Sequence, residues 1–275
     1  MSNSIEIKYD EQNCIGSGVF GEVYPSYDGK YAFKVIKAAE VWEDEIKFLG
    51  MVQGHPNIVK MFTAVKLEKS WVVVLEKAES NLVNYRSTKQ VEDIDVKGLG
   101  KQLFQGLEYI HLKKLIHSDI KGENILVYPL KEGGKRVSIC DFGNAYFFTD
   151  DNTEPNVTTI SYRAPELLAM QKTWDEKIDI WSMGNVYYYI LKGSTFMNIY
   201  EPLLCLRYIT FTYGYLQFEN PPLPFLSYYW NKDKFYHRES ASSLLKLEPN
   251  EVIDASMTPL PSLRKSASEI VKLFN

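Results

Sequence analysis

Five short motifs follow one another in a fixed order along this chain of 275 residues. They are GSGVFGEV at 16–23, AFK at 32–34, HSDIKGEN at 117–124, DFG at 141–143 and APE at 164–166. Any one of them could arise by chance. Together, a glycine-rich loop, a strand lysine and two acidic loops in this order are the equipment of phosphoryl transfer. The spacing therefore predicts one phosphoryl-transfer site built from most of the chain.

On the strength of these motifs, the chain resembles a eukaryotic-type protein kinase over almost its whole length. The resemblance implies a single domain, 1–275, with an α+β fold in two lobes. An antiparallel sheet with one main helix would form the N-lobe (about 1–76), followed by a hinge (about 77–82) and a mostly helical C-lobe (about 83–275). It also implies the use of ATP and Mg²⁺, with Mn²⁺ as an alternative metal.

The composition fits one such domain and argues against several other classes of protein. With 45% hydrophobic residues, the chain can bury one or two cores. Three dispersed cysteines are too few for a disulfide framework and form no CxxC pair for zinc. The net charge of −4 argues against direct nucleic-acid binding, and no apolar run reaches the ~18 residues that span a bilayer. We expect an intracellular protein, in the cytoplasm, the nucleus or both, within a host cell if its origin is viral.

Local patterns place the motifs on strands and helices. The turn Asp28-Gly29 joins two alternating runs into a hairpin, and apolar spacing in 41–52 predicts a helix packed on the resulting sheet. Residues 72–75 read as a continuous apolar strand, and the polar, flexible run after them predicts the hinge. Beyond the hinge, helical periodicity predicts one helix ending at His111 and a second from Ile180 to Leu191.

The glycine-rich loop is expected to approach the phosphates of the nucleotide. Gly16, Gly18 and Gly21 remove side chains where backbone must come close to phosphate oxygens, and Phe20 can shield the reaction from water. A dinucleotide-binding fold would need the loop to enter a helix directly, whereas this sequence continues as sheet, and a flexible hairpin is the remaining alternative. The expected nucleotide-binding residues are Ile15, Gly16, Ser17, Gly18, Val19, Phe20, Gly21, Val23, Ala32, Lys34, Glu76, Ala78, Asn81 and Leu126.

Two lysines compete for the strand position that holds the α- and β-phosphates, because AFK ends at Lys34 and VIK ends at Lys37. Alternation along a strand puts Ala32 and Lys34 on one face and Lys37 on the other. Ala32 would then cover the adenine while Lys34 reaches the phosphates. A buried ammonium needs a partner, and Glu45 on the following helix is the best candidate. The rival acids on that helix are Glu43 and Asp44.

The family resemblance assigns the catalytic machinery residue by residue. Asp119 would act as the catalytic base, while Asn124 and Asp141 would bind the metal. Lys121, two residues after the base, and Thr159, just before the APE motif, match kinases that phosphorylate serine and threonine. The complete set counts against a pseudokinase, a scaffold that keeps the fold without the activity, and the APE segment counts against small-molecule kinases.

Three structural expectations accompany this assignment. Glu166 should pair with Arg264, and Asp179 should anchor the catalytic loop. Ser118 stands where most family members carry arginine, so the usual partner of an activation-loop phosphate is missing. Cys140, just before DFG, is expected to be an inert apolar residue in the nucleotide cleft.

The part of the chain between Asp179 and Arg264 departs from the family pattern and is rich in aromatic residues. Packing within a shortened lobe is one interpretation, and a surface for a partner or for a homo-oligomer is the other. The compact chain is most similar to the late serine/threonine kinase of baculoviruses and granuloviruses. That similarity implies a basic substrate, such as a viral nucleocapsid protein that condenses DNA, and a cellular signalling kinase is the alternative. Acceptor specificity stays open, because Glu123 indicates basic substrates whereas Arg163 indicates proline-directed ones.

Overall fold

The fold was obtained as a computed structural model that describes residues 6–18, 21–37, 43–68, 70–148, 158–171, 173–213, 240–248 and 250–275. Within these residues, a five-stranded antiparallel sheet with one helix is followed by a mostly helical part that carries two smaller sheets. The two-lobed α+β fold expected from the sequence is therefore confirmed.

The N-lobe sheet has the strand order β1-β2-β3-β5-β4. Its strands are β1 (Gly16–Gly18), β2 (Gly21–Pro25), β3 (Tyr31–Lys37), β4 (Met61–Lys66) and β5 (Ser70–Glu76). The predicted hairpin joins β2 and β3, and Gly29 in its turn has φ +70°, which L side chains rarely adopt. Alternation along β3 separates two faces, because Ala32 and Ile36 pack in the main core whereas Phe33 packs in a small cluster on the other side.

Helix α1 (Glu43–Met51) packs on this sheet through the buried Phe48 and Leu49, which share the main core with Ile36. The helix predicted over 41–52 is therefore present, and its first two positions lie outside the described residues. Because Glu45 and Phe48 are one turn apart, they lie on the same buried face. Glu45 therefore points toward β3, where its carboxylate pairs with Lys34.

The chain between the lobes contains a short strand and the start of a helix. After β5 ends at Glu76, β6 (Ser80–Asn81) pairs with a C-lobe strand, and α2 (Leu82–Ser87) begins at once. The side chain of Asn81 accepts a hydrogen bond from the Asn84 amide at 2.9 Å and so caps this helix. The residues predicted as the hinge, 77–82, thus consist of the connection 77–79, the strand β6 and the first residue of α2.

The C-lobe is built around two long helices, α3 (Val96–Leu112) and α5 (Lys177–Lys192). The helix predicted to end near His111 is present as α3, and its apolar face is buried through Leu99, Leu103, Leu107 and Ile110. The remaining elements are β7 (Leu115–Ile116), β8 (Ile125–Pro129), β9 (Lys135–Ile139), β10 (Tyr146–Phe147), α4 (Pro165–Leu168), α6 (Pro202–Tyr213), α7 (Ala241–Leu244), α8 (Glu251–Ser256) and α9 (Ala267–Lys272).

The aromatic residues of the lower lobe divide into buried and exposed groups. Tyr187, Tyr189 and Tyr213 are buried, whereas Tyr200 and Tyr208 are exposed. Further aromatic residues of this part of the sequence lie outside the described residues: Tyr215, Tyr228, Tyr229 and Trp230. Packing thus accounts for part of the aromatic content, and the exposed residues keep the surface interpretation open. In the described segments, no helix combines the length and the apolarity that a membrane crossing requires.

Candidate active site

The loop that follows β7 is held in place by Asp179, which lies fully buried at the start of α5. Its two carboxylate oxygens accept hydrogen bonds from the amides of His117, at 2.8 Å, and Ser118, at 2.9 Å. Ser118 has φ +61°, a conformation that costs a non-glycine residue free energy, and these hydrogen bonds help to keep it there. The anchoring role expected of Asp179 is therefore confirmed.

Asp119 lies at the centre of a closed hydrogen-bonded cluster. Lys121 Nζ is 2.7 Å from Asp119 Oδ2, and the Thr159 hydroxyl donates to Asp119 Oδ1 at 2.6 Å. Lys121 Nζ also lies 3.3 Å from the Thr159 hydroxyl oxygen. Asn124 Nδ2 donates to the Asp119 carbonyl at 2.8 Å and to Oδ2 at 3.1 Å. The structure thus brings together Asp119, Lys121, Asn124 and Thr159, although Thr159 is 40 residues away in the chain.

A second cluster joins the two lobes through Lys34. The Lys34 ammonium lies 2.5 Å from Glu45 Oε1 and 2.8 Å from Asp141 Oδ1, so the expected partner on α1 is present. The rivals Glu43 and Asp44 are exposed and pair with other lysines. The side chain of Lys37, the alternative phosphate-binding lysine, lies outside the described side chains.

Burial and the carboxylates act in opposite directions on the charges of this cluster. Burial alone would lower the pKa of Lys34, but Glu45 and Asp141 outweigh it and raise that pKa well above its usual value. Burial raises the pKa of Glu45, and Lys34 counteracts only part of this effect. Although burial opposes it, Lys34 holds the pKa of Asp141 below its ordinary value. Lys34 and Asp141 are therefore both charged at neutral pH.

The donor atoms near Asp141 fit a magnesium ion that is shared with phosphates. The Cys140 amide donates to the Asn124 carbonyl at 3.0 Å, which puts the two expected metal-binding residues side by side. With Asn124 Nδ2 engaged at Asp119, its amide oxygen is the atom that can act as a ligand. The described residues contain no group of three or more His, Cys, Asp and Glu placed to hold a metal. Mg²⁺ commonly takes only one or two protein oxygens, because water and substrate phosphates supply the others.

The glycine-rich loop spans β1 and β2, and its glycines serve different purposes. A Cβ built on Gly18 would meet nothing within 4 Å, and one on Gly16 would make only ordinary contact with Val23. Gly21 has φ +137°, and a Cβ there would collide with the Val35 carbonyl of β3. Gly21 is therefore also required by the packing of the sheet itself, in addition to the approach to phosphate expected of it. The predicted residues Val19 and Phe20 lie outside the described residues.

The other residues expected around the nucleotide base are placed as follows. Val23 pairs with both Gly16 and Lys34 across the sheet, and Ala32 is buried in the main core, against which Val23 and Leu126 pack. Ile15 and Ser17 are exposed beside the loop, and Ala78 is half-buried between β5 and β6.

Two of the predicted nucleotide-binding side chains are engaged elsewhere. The Glu76 carboxylate forms an ion pair with Arg136 at 2.7 Å, and the Asn81 side chain caps α2. If Glu76 contacts the nucleotide, it would therefore do so through its backbone, because its carboxylate is occupied by Arg136. No local pattern predicts this pair, because Arg136 is 60 residues away from Glu76 in the chain.

The DFG segment is held by contacts that sequence reasoning did not identify. The Phe142 ring is fully buried and meets the His117 ring edge-on, with 4.9 Å between centroids. His117 Nε2 also lies 3.0 Å from the Cys140 carbonyl. The Ser118 hydroxyl donates to the Asn144 carbonyl at 2.5 Å, which ties the catalytic loop to the chain after DFG. Burial raises the pKa of the Cys140 thiol far above its usual range, as expected of an inert residue.

The acceptor side of the site is supported from within the C-lobe. The guanidinium of Arg264 pairs with both oxygens of Glu166, at 2.8 and 3.1 Å, as the sequence predicts. Arg163 is buried, and its side chain donates to the Thr158 carbonyl and hydroxyl, at 2.5 to 3.2 Å. Glu123 lies beside Asn124 and is exposed.

Comparison with known proteins gives one consistent result. Residues 9–271 match the protein kinase domain family. A protein of Acanthamoeba polyphaga mimivirus named as a serine/threonine-protein kinase is 32% identical over 206 residues, which are 70% of this chain and 37% of that protein. An Arabidopsis thaliana protein named in the same way is 29% identical over 96% of this chain and 49% of its own length. Cyclin-dependent kinase 4 of Xenopus laevis is 31% identical over 74% of this chain and 67% of its own length.

These matches reach across viruses, plants and animals. The alignments span well under two thirds of the mimivirus and Arabidopsis proteins.

Proposed function

The chain belongs to the protein kinase domain family, and we propose that it transfers the γ-phosphoryl group of ATP to serine and threonine hydroxyls of proteins. The observation that carries this proposal is the cluster in which Asp119 is held by Lys121 and Thr159, beside the Lys34–Asp141 pair. Relatives named as serine/threonine-protein kinases support the same acceptor class. A pseudokinase is disfavoured, because every expected polar group of the site is present and engaged.

The residues of the site divide the work of the reaction between them. The Asp119 carboxylate accepts the proton of the acceptor hydroxyl, and the Thr159 hydroxyl fixes the orientation of that carboxylate. Lys121 places a positive charge between Asp119 and the acceptor side, where charge develops on the transferred group. Lys34 would hold the α- and β-phosphates, and Asn124 and Asp141 would hold Mg²⁺. When bound, the metal neutralises the phosphate charge and aligns the leaving group.

We propose further that the preferred substrates are basic proteins. Glu123 is exposed next to Asn124, and among the described residues it has no ion-pair partner. A basic residue of the substrate could therefore pair with it directly. Arg163, in contrast, is buried and occupied by Thr158, so its own charge is not offered to a substrate.

One consequence of the Arg163 contact favours a second preference. Because Thr159 contacts Asp119, the neighbouring Thr158 carbonyl lies close to the acceptor position, and Arg163 already donates to that carbonyl. A substrate backbone amide would compete with Arg163 there, whereas proline has no amide hydrogen to lose. A proline after the acceptor is therefore the alternative specificity to test.

The biological setting we propose is that of an intracellular viral kinase. What supports this proposal is the sequence resemblance expected with the late kinase of baculoviruses and granuloviruses, together with a mimivirus protein among the relatives. The natural substrate would then be a basic, DNA-condensing nucleocapsid protein, phosphorylated in the cytoplasm or nucleus of the host. The plant and animal relatives match the chain at identities similar to that of the mimivirus protein, and they favour the alternative of a cellular signalling kinase.

A peptide library tests these proposals together. Peptides would carry serine, threonine or tyrosine as acceptor, with arginine or proline at flanking positions, in the presence of ATP and Mg²⁺. We expect transfer to serine and threonine, with a preference for arginine that Glu123→Gln reduces by about tenfold or more, as for a charge-assisted hydrogen bond. Glu132→Gln, at an exposed acid in the turn after β8, is the matched control and should leave the preference unchanged. Selectivity that is identical in the Glu123 variant would exclude this residue from substrate recognition.

A further inference from the structure

An aromatic contact joins α1 to the chain that follows the DFG segment. The rings of Phe48 on α1 and Phe147 on β10 meet edge-on, with 5.3 Å between centroids and 80° between planes. The Lys47 ammonium lies 5.3 Å from the Phe48 centroid and 5.4 Å from the Phe147 centroid, so it faces both rings. Such edge-to-face pairs and cation contacts are attractive beyond the area that they bury.

Both ends of this contact lead to catalytic groups. Phe48 is buried one helical turn after Glu45, whose carboxylate pairs with Lys34. Phe147 follows Asp141 by six residues and is fixed from the other side by its pairing with Leu115 in β7. A movement of α1 that separated Glu45 from Lys34 would therefore also pull Phe48 away from Phe147.

Phe147 has no evident reason to be aromatic for folding alone. Its side chain is 38% exposed, so burial of the ring contributes less than it would in the core. The loop beside it also lacks a cation at Ser118, whose hydroxyl binds the Asn144 carbonyl instead. The catalytic loop therefore offers the chain after DFG no charged contact at position 118, and the aromatic contact is an observed link between that chain and α1.

We propose that Phe147 is a positioning residue that holds α1, through Phe48 and Lys47, in the place where Glu45 pairs with Lys34. This inference rests on the proposed function, since the Lys34–Glu45 pair matters for a bound nucleotide. The pair sets where the Lys34 ammonium stands, and so the affinity for Mg²⁺ and a nucleoside diphosphate should depend on Phe147. Phosphoryl transfer should depend on Phe147 in the same way.

Calorimetric binding of ADP with Mg²⁺ tests the inference without requiring phosphoryl transfer. Phe147→Ala should weaken ADP binding about fivefold, and Phe147→Tyr, which keeps the ring, should restore it to within twofold. In a Glu45→Gln background, the same Phe147→Ala change should have an effect below twofold, because the pair it supports is already broken. Phe62→Ala is the matched control, because Phe62 is 40% exposed and meets the ring of Tyr31 edge-on at 5.1 Å.

The outcomes separate this inference from the proposed function. A fivefold loss that persists in the Glu45→Gln background would show a general structural effect and overturn the inference. ADP affinity within twofold of the wild type in both Phe147→Ala and Phe147→Leu would overturn the inference as well. If the alanine variant does not fold, the ADP affinity of Phe147→Leu alone tests the inference. A wild type that binds ADP with this dependence but transfers no phosphate would instead contradict the proposed function.

Discussion

Removal of the Arg264 side chain should destabilise the C-lobe more than any surface substitution. Arg264 is 1% exposed, and all of its side-chain nitrogens donate hydrogen bonds. Besides the two oxygens of Glu166, it binds the carbonyls of Thr258, Lys177 and Pro259, at 2.6 to 3.0 Å. In Arg264→Met, the Glu166 carboxylate, itself 3% exposed, loses its charged partner and stays buried.

The expected size of this effect follows from the burial. Breaking a buried ion pair by removing one partner costs about 3 to 5 kcal/mol, because an uncompensated charge remains. Domains are stable by only about 5 to 15 kcal/mol, so this loss is a large fraction of the total. At about 2 to 4 °C per kcal/mol for chains of comparable size, Tm should fall by about 6 to 20 °C.

The assay is thermal unfolding followed by circular dichroism, with two companion variants. Lys265→Ala, at the exposed neighbouring position, should change Tm by less than about 2 °C, as surface substitutions do. The double variant Glu166→Gln, Arg264→Met removes both charges and should be more stable than Arg264→Met alone. A Tm for Arg264→Met within 2 °C of the wild type, or a double variant less stable than the single, would refute the buried-pair reasoning.

Two further predictions concern the reaction and the thiols. Thr159→Ala removes a 2.6 Å hydrogen bond to the Asp119 carboxylate, so kcat should fall about 10- to 100-fold. Thr159→Ser keeps the hydroxyl and should retain most of the wild-type kcat. Equal kcat values in the two variants would contradict the role of the hydroxyl. Burial raises the pKa of Cys205 to about 11 and that of Cys140 higher still, so both stay as thiols at pH 8. Iodoacetamide at that pH should therefore label the exposed Cys14 alone, as mass spectrometry would show. Labelling of Cys140 or Cys205 before Cys14 would be inconsistent with these directions.

The parts of the site that the sequence predicts are those carried by local pattern or by a family motif. Strand alternation selected Lys34, the family resemblance favoured Glu45 over its neighbours on the helix, and the structure pairs the two residues. The contact between Asp119 and Thr159 spans 40 residues, and it was expected only through the resemblance. Local pattern also placed α3 and α5, because long helices with an apolar face have a strong periodic signal.

The parts that the sequence does not predict are contacts between distant residues without a recurring motif. Glu76 meets Arg136, and Phe48 meets Phe147, although nothing in the neighbouring residues marks either pair. Gly21 was interpreted as part of the phosphate loop alone, whereas its missing side chain also lets β3 come close. Such features depend on how strands and helices pack, which composition and periodicity do not encode.

The most direct test is a comparison of the wild type with Asp119→Asn in single-turnover phosphoryl transfer to a serine peptide at saturating ATP and Mg²⁺. Loss of the general base should slow transfer by at least about 100-fold. Because Asp119 contacts Lys121, Thr159 and Asn124 but no residue expected to hold the phosphates, ATP affinity should stay within about twofold. A wild type that transfers no phosphate to serine or threonine, or an Asp119→Asn variant that transfers at the wild-type rate, would contradict the assignment of this site.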